Sequence, residues 1–383
     1  MKKTYIQIKY RIRTTKQNYH LLYATAGANR YLWNQCLDYL QTTYKEKGKC
    51  DFSYFSLCRW YVQYKNEMKD PWLKDYPVAV TRTILKDLSI AYNAFVTGKR
   101  GYPRWKSKNR NRPSIPIEIQ SNPFKMKGGN RRCYYFRIKK GHEIKLIHYH
   151  KQLKRYQNPI PKSARVTQSI TGKWYLTVSY KVDAVERKED RIGVGIDRNV
   201  GQVTDHHGTF YHLTDTSRIE KRIRKLQKQK AKKIKGSYRY KKIVKAIAKK
   251  HQKIKNIRNN DLKHIANQIT RCSTSVVMED LKTKGMTASA SGTIEAPGKH
   301  VKAKSGLNRS ILGTGWYQLE QHLSERGVVH KVNPAYTSQT CSCCGYVSKK
   351  NRLSQALFIC QQCGYKDNAG NYISKWHSPW ISL

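Results

Sequence analysis

The sequence predicts a multidomain α/β protein. A β-barrel interrupted by a helical unit precedes a mixed strand-and-helix core that carries a small metal ribbon. Three observations support this reading. Apolar residues alternate with a period of two in 1–14 and 111–185, but with a helical period between them. From residue 190 onward, three short strands precede alternating helices and strands. Further on, five cysteines crowd between Cys341 and Cys363. At 383 residues the chain also exceeds what one core usually serves, so several domains are expected.

Charge narrows the function. Lys and Arg number 76 against 24 acids, a formal net charge of +52. Such an excess repels itself unless a polyanion compensates it, and nucleic acid is the default partner. A membrane surface is the weaker competitor, because no amphipathic anchor stands out and no apolar run approaches a membrane span. The start, "MKKTYIQIKYRIR", lacks the apolar stretch of a signal peptide, and a cytoplasmic protein is expected. Reduced cysteines fit that setting: the clustered ones bind metal, while Cys36, Cys50, Cys58, Cys133 and Cys272 are scattered. Tyrosines, 27 against 7 phenylalanines, suit contacts with sugars and bases better than a dry core.

In the first strand, Ile6, Ile8, Tyr10 and Ile12 share one face. Thr14 and Gln17 stand at capping-box spacing and open a helix that turns Leu22, Ala26, Trp33, Cys36 and Leu40 to a core. Residues 50–75 read as helical. Ile84, Leu88, Ala91 and Phe95 mark a further helix. A basic loop broken by Gly and Pro, "GKRGYPRWKSKNRNRPSIP", ends this unit, so 15–110 is a helical insertion. "CYYFRIKK", "HEIKLIH", "RVTQSI" and "KWYLTVSYKV" are strands of a barrel that the N-terminal strand joins, over 1–14 and 111–185. "DAVERKED" is a linker.

"RIGVGIDRNVGQVTDHHGTFYHL" reads as three short strands joined by tight turns. Ser217 and Glu220 then open a basic helical hairpin over 217–270, broken near Gly236. From Arg218 to Arg258 it holds nineteen Lys/Arg and one acid. A solvated helix face mixes charge signs and this one does not, which points to phosphate contact through Arg222, Lys225, Lys228, Lys232 and Lys242. "STSVVMED" is an apolar strand. Segment 282–306 has loop composition and follows Glu279 directly; it is expected to act as a lid ordered by bound nucleic acid. A helix over 316–326 and the strand "VVHKVNP" follow. In the basic loop, Tyr102, Arg104 and Lys106 suit stacking and phosphate contact, and Trp105 serves either there or in a core.

Cys341-x2-Cys344, fifteen residues, then Cys360-x2-Cys363 is zinc-ribbon spacing. Gly345 and Gly364 follow each pair, where the chain must turn back around an ion. Cys343 is left as a free thiol. Disulfides or a redox pair are the competing reading, disfavoured in a reducing compartment. Four thiolates leave no open coordination position, so one Zn²⁺ here is structural and holds together the segment 336–364.

Acids are scarce, so their placement matters. Asp197 ends the strand "GVGID", Glu279 ends "VVMED", and Asp367 opens a last helix, "DNAGNYISKW". Strand–strand–strand–helix–strand–helix–strand–helix is the order of an RNase H-like core, in which acids on the first strand, a central strand and the last helix converge. Three carboxylates there suit two Mg²⁺ ions, hard cations that take oxygen ligands. A lone aspartate after a strand is more often a turn or cap residue; the +52 background favours the metal reading, because a phosphodiester is the natural substrate. Asp205 and Asp280 read as exposed or supporting acids. Adjacent strand residues face opposite sides, so only one of Glu279 and Asp280 can serve.

These residues carry a resemblance. "GANRYLWNQCLDYL", "GVGIDRNVG", "VVMEDLKTKGM", "GLNRSILGTGWYQLEQHL" and "NPAYTSQTCSCCGY…CQQCGYKDNAGNYI" together resemble the TnpB family of transposon-encoded RNA-guided nucleases, related to compact type V CRISPR effectors, over nearly the whole chain. The resemblance implies a RuvC nuclease domain over 190–335 and 365–383, with Asp197, Glu279 and Asp367 as catalytic Mg²⁺ ligands and the ribbon inserted before the last acid. It implies a wedge barrel with an inserted recognition domain, a guide RNA from the transposon end, one protein per guide, and a double-stranded DNA target beside a short flanking motif. One departure stands out. The family's last motif reads Asp-x-Asn-Ala-x-x-Asn-Ile, whereas here Asn368 follows Asp367 at once. The missing residue either rotates the helix and weakens metal binding or alters only its first turn. The competing function is therefore an RNA- and DNA-binding regulator of the transposon with an impaired centre. A strand-joining transposase fits poorly, for no further recombinase centre is visible.

Overall fold

The computed structural model describes residues 3–67, 72–73, 76, 78–117, 119, 134–138, 142–147, 153, 156, 159–183, 193–354 and 357–368. The chain divides into two compact units, Met1–Val185 and Glu186–Leu383.

In the first unit, strand β1 (Lys3–Ile12) buries Ile8, Tyr10 and Ile12. Helix α1 (Lys16–Lys47) follows. Its cap is Thr15, whose hydroxyl accepts the Asn18 N–H at 3.2 Å, one residue later than the capping box expected at Thr14. Helices α2 (Tyr54–Glu67) and α3 (Val78–Val96) complete the insertion. Leu32, Leu37 and Leu40 of α1, Leu57 of α2, and Ile84, Leu85 and Leu88 of α3 form one buried cluster. Phe95, expected in that core, is 39% exposed and meets Tyr102 edge-on at 5.1 Å instead.

Five further strands join β1: β2 (Ser114–Ile117), β3 (Tyr134–Arg137), β4 (Glu143–Ile147), β5 (Ile160–Gln168) and β6 (Trp174–Asp183). The antiparallel order is β2-β5-β6-β1-β4-β3, which makes the N-terminal strand an interior one. Along β6 burial alternates residue by residue, with Trp174, Leu176, Val178 and Tyr180 inward. β2 begins inside the stretch that the sequence reads as the end of the basic loop. Its Pro116 lacks a donor, and β2 pairs only with β5, on the edge where a proline is tolerated.

The second unit opens with β7 (Val194–Asn199), β8 (Gln202–Asp205) and β9 (Phe210–His212). Helices α4 (Ser217–Ala231) and α5 (Tyr238–Cys272) follow, separated by Gly236 at φ +91°. Then come β10 (Ser275–Glu279), α6 (Thr283–Met286), α7 (Val301–Thr314), α8 (Trp316–Ser324) and β11 (Val328–Val332). The sheet order is β11-β10-β7-β8-β9. β10 runs parallel to both β7 and β11, while β7, β8 and β9 are antiparallel. Parallel neighbours require crossovers, and α4–α5 and α7–α8 supply them. Val194, Ile196, Val203, Val276 and Met278 pack one face of the sheet against Leu262, Ile265 and Ile269 of α5 and Leu319 and Leu323 of α8. Gly327 is sterically required: a β-carbon there would lie 2.1 Å from the Thr274 carbonyl oxygen, where β11 starts beside β10.

The expected loop over 282–306 is partly helical, since α7 begins at Val301. Ser305, Gly306 and Gly313 weaken its helical signature. Beyond β11 lies the ribbon, with β12 (Leu357–Ile359) paired antiparallel to β13 (Lys366–Asn368). The ribbon thus runs past the expected boundary at 364, and Asp367 stands in a strand opposite Phe358 rather than at a helix start. The helix expected after it, and Cys133, fall outside the described residues.

Candidate metal centres and nucleic-acid surface

Asp197 and Glu279 meet because β7 and β10 run parallel in register. Met278 pairs with Ile196, and the two acids are the next residues along each strand, at the C-terminal ends. Residues in register share a face, and this one lies opposite the α5–α8 core. Asp197 is buried, and Asn199 Nδ2 donates to its Oδ2 at 2.7 Å. Burial first, and then the Glu279 charge, push its carboxyl up to about 6, against partial relief from Asn199 and Arg352. Thr337 Oγ1 donates to Glu279 Oε1 at 2.5 Å. Arg198, whose side chain belongs to the opposite face, donates to the Glu279 backbone carbonyl.

The neighbouring acids are otherwise engaged. Asp280 is exposed and ion-paired with Lys331 at 3.4 Å, so Glu279 is the member of the pair beside Asp197. Asp205, expected to be exposed or supporting, is buried. It accepts the His207 and Thr209 amides at 3.0 and 2.8 Å and the Tyr211 hydroxyl at 2.8 Å, which spends it on the β8–β9 turn.

Two carboxylates this close, one of them buried, favour a cation between them. A second sign is Thr204, paired with Asp197 across the β7–β8 ladder, whose buried hydroxyl has no hydrogen-bond partner among the described residues. Hard oxygen donors with an unspent hydroxyl beside them fit a hydrated divalent ion. For the third expected ligand, Asp367, the backbone position in β13 is described but its side chain is not.

The four cysteines at ribbon spacing converge, their Sγ atoms all within 4.8 Å of one another. Cys341–Cys363 and Cys344–Cys360 are each 3.6 Å apart. A tetrahedron with Zn–S bonds of about 2.3 Å has edges of about 3.8 Å, so the set fits zinc. Each knuckle repeats one design. Cys341 N–H donates to Tyr346 O and Gly345 N–H to Cys341 O, as Cys360 N–H does to Tyr365 O and Gly364 N–H to Cys360 O. Gly345 and Gly364 hold φ +74° and +69°, where an L side chain is strained. Cys343 lies outside the cluster, exposed, its amide donating to Cys341 Sγ. The residue overlooked in the sequence is Asn351. Fully buried, it donates to Gln339 O and Tyr346 O and accepts Gln361 N–H, tying the knuckles together.

Arg222, Lys225, Lys228, Lys232 and Lys242 are all exposed on α4, its C-terminal cap and α5, and none forms an ion pair among the described residues. In the basic loop, Trp105 is 48% exposed, not core. Tyr102 bonds the Tyr92 hydroxyl at 2.9 Å, and the Arg104 carbonyl accepts Trp33 Nε1. Lys106 sits over the Trp33 ring at 3.2 Å, its amine pushed down to about 8 by burial, which marks it as a packing residue.

Paired carboxylates ending parallel strands, a four-thiolate ribbon and a basic hairpin define a class: multidomain α/β proteins that pair an acidic centre with a structural metal clip. Known proteins carry the same parts. Residues 316–370 match the family described as "Cas12f1-like, TNB domain", 177–290 that described as "Probable transposase", and 1–49 a "Helix-turn-helix domain", residues that here form β1 and α1. The chain is 33% identical over 374 residues to the "Putative RNA-guided DNA endonuclease InsQ" of Escherichia coli K12, covering 94% of this chain and 88% of that protein. It is 25% identical over 281 residues to the CRISPR-associated endodeoxyribonuclease Cas12f1 of Syntrophomonas palmitatica, covering 67% and 54%. Its fold is similar to that of a chain in a Cas12f1–sgRNA–target DNA complex, at a TM-score of 0.53 and 16% identity, over 96% of this chain and 84% of that one. The chain belongs to the TnpB family, related to the type V effectors. No helix among the described residues is long and apolar enough to cross a membrane.

Proposed function

We propose that this chain is an RNA-guided DNA endonuclease that cuts double-stranded DNA beside a short flanking motif, using a guide RNA from its transposon end. The observation that carries the reading is the side-by-side placement of Asp197 and Glu279 at the ends of adjacent parallel strands. The sheet order supports a RuvC-like core over 190–335 and 365–383, and the thiolate cluster supports a zinc ribbon between its parts. In this reading, 1–14 and 111–185 form the wedge barrel, 15–110 is the recognition domain, and one cytoplasmic protein serves each guide.

The protein's own groups divide the work. Asp197 and Glu279, with Asp367, are the residues that would hold two Mg²⁺ ions. Bound there, such ions would supply Lewis acidity for hydrolysis of a phosphodiester. Asn199 and Thr337 fix the two carboxylates from either side. Arg352, close enough to Asp197 to ease its ionisation, adds a positive charge beside the acidic centre. Base pairing with the guide reads sequence, and exposed cations on the hairpin hold phosphates.

The regulator reading has one observation in its favour: Asp367 lies in a ribbon strand, with Asn368 directly after it. The experiment is cleavage. The complex, purified with its transposon-end RNA, is given Mg²⁺ and a plasmid bearing the matched target behind a randomised flank, beside Asp197→Ala. Cut plasmid from the wild type alone supports the nuclease. Tight binding without cutting by either supports the regulator.

A further inference from the structure

The turn that leads into the ribbon does more than connect it to β11. Thr337 is 2% exposed, and its hydroxyl meets Glu279 Oε1 at 2.5 Å and Pro334 O at 3.1 Å. That turn is itself held by the ribbon. Tyr336 adopts φ +64°, and its carbonyl accepts the Gln339 and Thr340 amides at 2.8 and 3.0 Å. The Gln339 carbonyl in turn accepts the Ser348 amide at 3.1 Å and the Asn351 amide group at 2.9 Å. Thr340 bridges Val347, and Cys341 follows directly. A short path of backbone links and hydrogen bonds therefore runs from the first zinc knuckle to a carboxylate of the acidic centre.

We propose that Thr337 is a positioning residue for Glu279, through which the zinc ribbon sets the geometry of the acidic centre. The hydroxyl takes up Oε1 and fixes the carboxylate plane, leaving Oε2 to face the ion. Without it, Glu279 at the end of its strand is free to rotate about its side-chain bonds. Partners of metal-binding carboxylates typically change metal affinity or activity by 10–100-fold when removed. The inference rests on the nuclease reading for its consequence, but its core is a statement about divalent-ion affinity that does not require cleavage.

The test compares Thr337→Val, which keeps the shape and removes the hydroxyl, with Thr337→Ser, which keeps the hydroxyl. Both are made in the full chain bound to guide RNA. Mn²⁺ binding is measured by electron paramagnetic resonance, zinc content by elemental analysis, and cleavage as a function of Mg²⁺ concentration. The expected result is a 10–100-fold weaker Mn²⁺ affinity and a matching rise in half-saturating Mg²⁺ for Thr337→Val. Zinc content stays unchanged, and Thr337→Ser stays near wild type. Unchanged Mn²⁺ affinity in a folded, zinc-replete Thr337→Val overturns the proposal. If the valine variant loses zinc or fails to fold, Thr337→Ala poses the same question without added bulk. If the wild type does not cleave, Mn²⁺ binding still decides this inference, and only the nuclease reading fails.

Discussion

Asp197 and Glu279 stand one step beyond the last paired residues of two parallel strands, and burial first, then the Glu279 charge, push the Asp197 carboxyl up to about 6. Because the folded value of about 6 lies above the ordinary 3.8, the folded state binds this proton more tightly than the unfolded chain does. Near pH 4 the group costs little. Stability is lost as pH rises through 6, to at most about 3 kcal/mol, since each pKa unit is worth about 1.4 kcal/mol. Asp197→Asn is therefore expected to melt higher than wild type at pH 7.5 without added Mg²⁺, with the gain shrinking towards pH 5. Thermal unfolding at the two pH values checks this; a pH-independent difference counts against it.

The ribbon separates ligand thiols from a bystander. Cys360→Ser is expected to lose the zinc and with it the order of the knuckles, whereas Cys343→Ser keeps a full complement of metal. Elemental analysis of the two purified variants distinguishes them. Zinc loss in both would place Cys343 among the ligands.

Asn351 makes three hydrogen bonds from a fully buried position. Replacing it with alanine leaves the Gln361 amide without its acceptor and takes one of two donors from each of the Gln339 and Tyr346 carbonyls, at a cost of about 1–3 kcal/mol. Zinc should pass from Asn351→Ala to a chelator markedly faster than from wild type. Equal release rates would show that the thiolates alone hold the ribbon.

The hairpin makes a prediction in salt. Replacing Arg222, Lys225, Lys228, Lys232 and Lys242 with glutamine should flatten the dependence of log affinity for guide RNA on log salt. Each phosphate contact removed accounts for roughly 0.7–0.9. A slope that does not move would assign these side chains to solvent.

The sequence alone revealed most of what depends on local pattern. Alternation disclosed β1 and β6, periodicity disclosed α1 and α3, and the spacing of Cys341, Cys344, Cys360 and Cys363 disclosed the cluster that the structure brings within 4.8 Å. Strand ends in a chain poor in acids singled out Asp197 and Glu279, which the structure sets side by side. What stayed hidden depends on long-range partners. Thr337 reaches Glu279 across 58 residues, and the three partners of Asn351 come from both knuckles. Neither residue type advertises burial. Two local signals also misled. Glycines and serines disguised the helix at Val301, and a single acid before Asn368 suggested a helix start where the backbone is still pairing with Leu357.

The order in which the centre's parts occur along the chain has a consequence for synthesis. Asp197 emerges from the ribosome first, then the whole of the basic hairpin, then Glu279, and only afterwards Thr337 and the cysteines. Domains fold as their residues become available, N-terminal parts first. The hairpin proposed to hold RNA is therefore made while the acidic pair still lacks the hydroxyl proposed to orient it. A nascent chain can be loaded with its guide before it carries a finished blade.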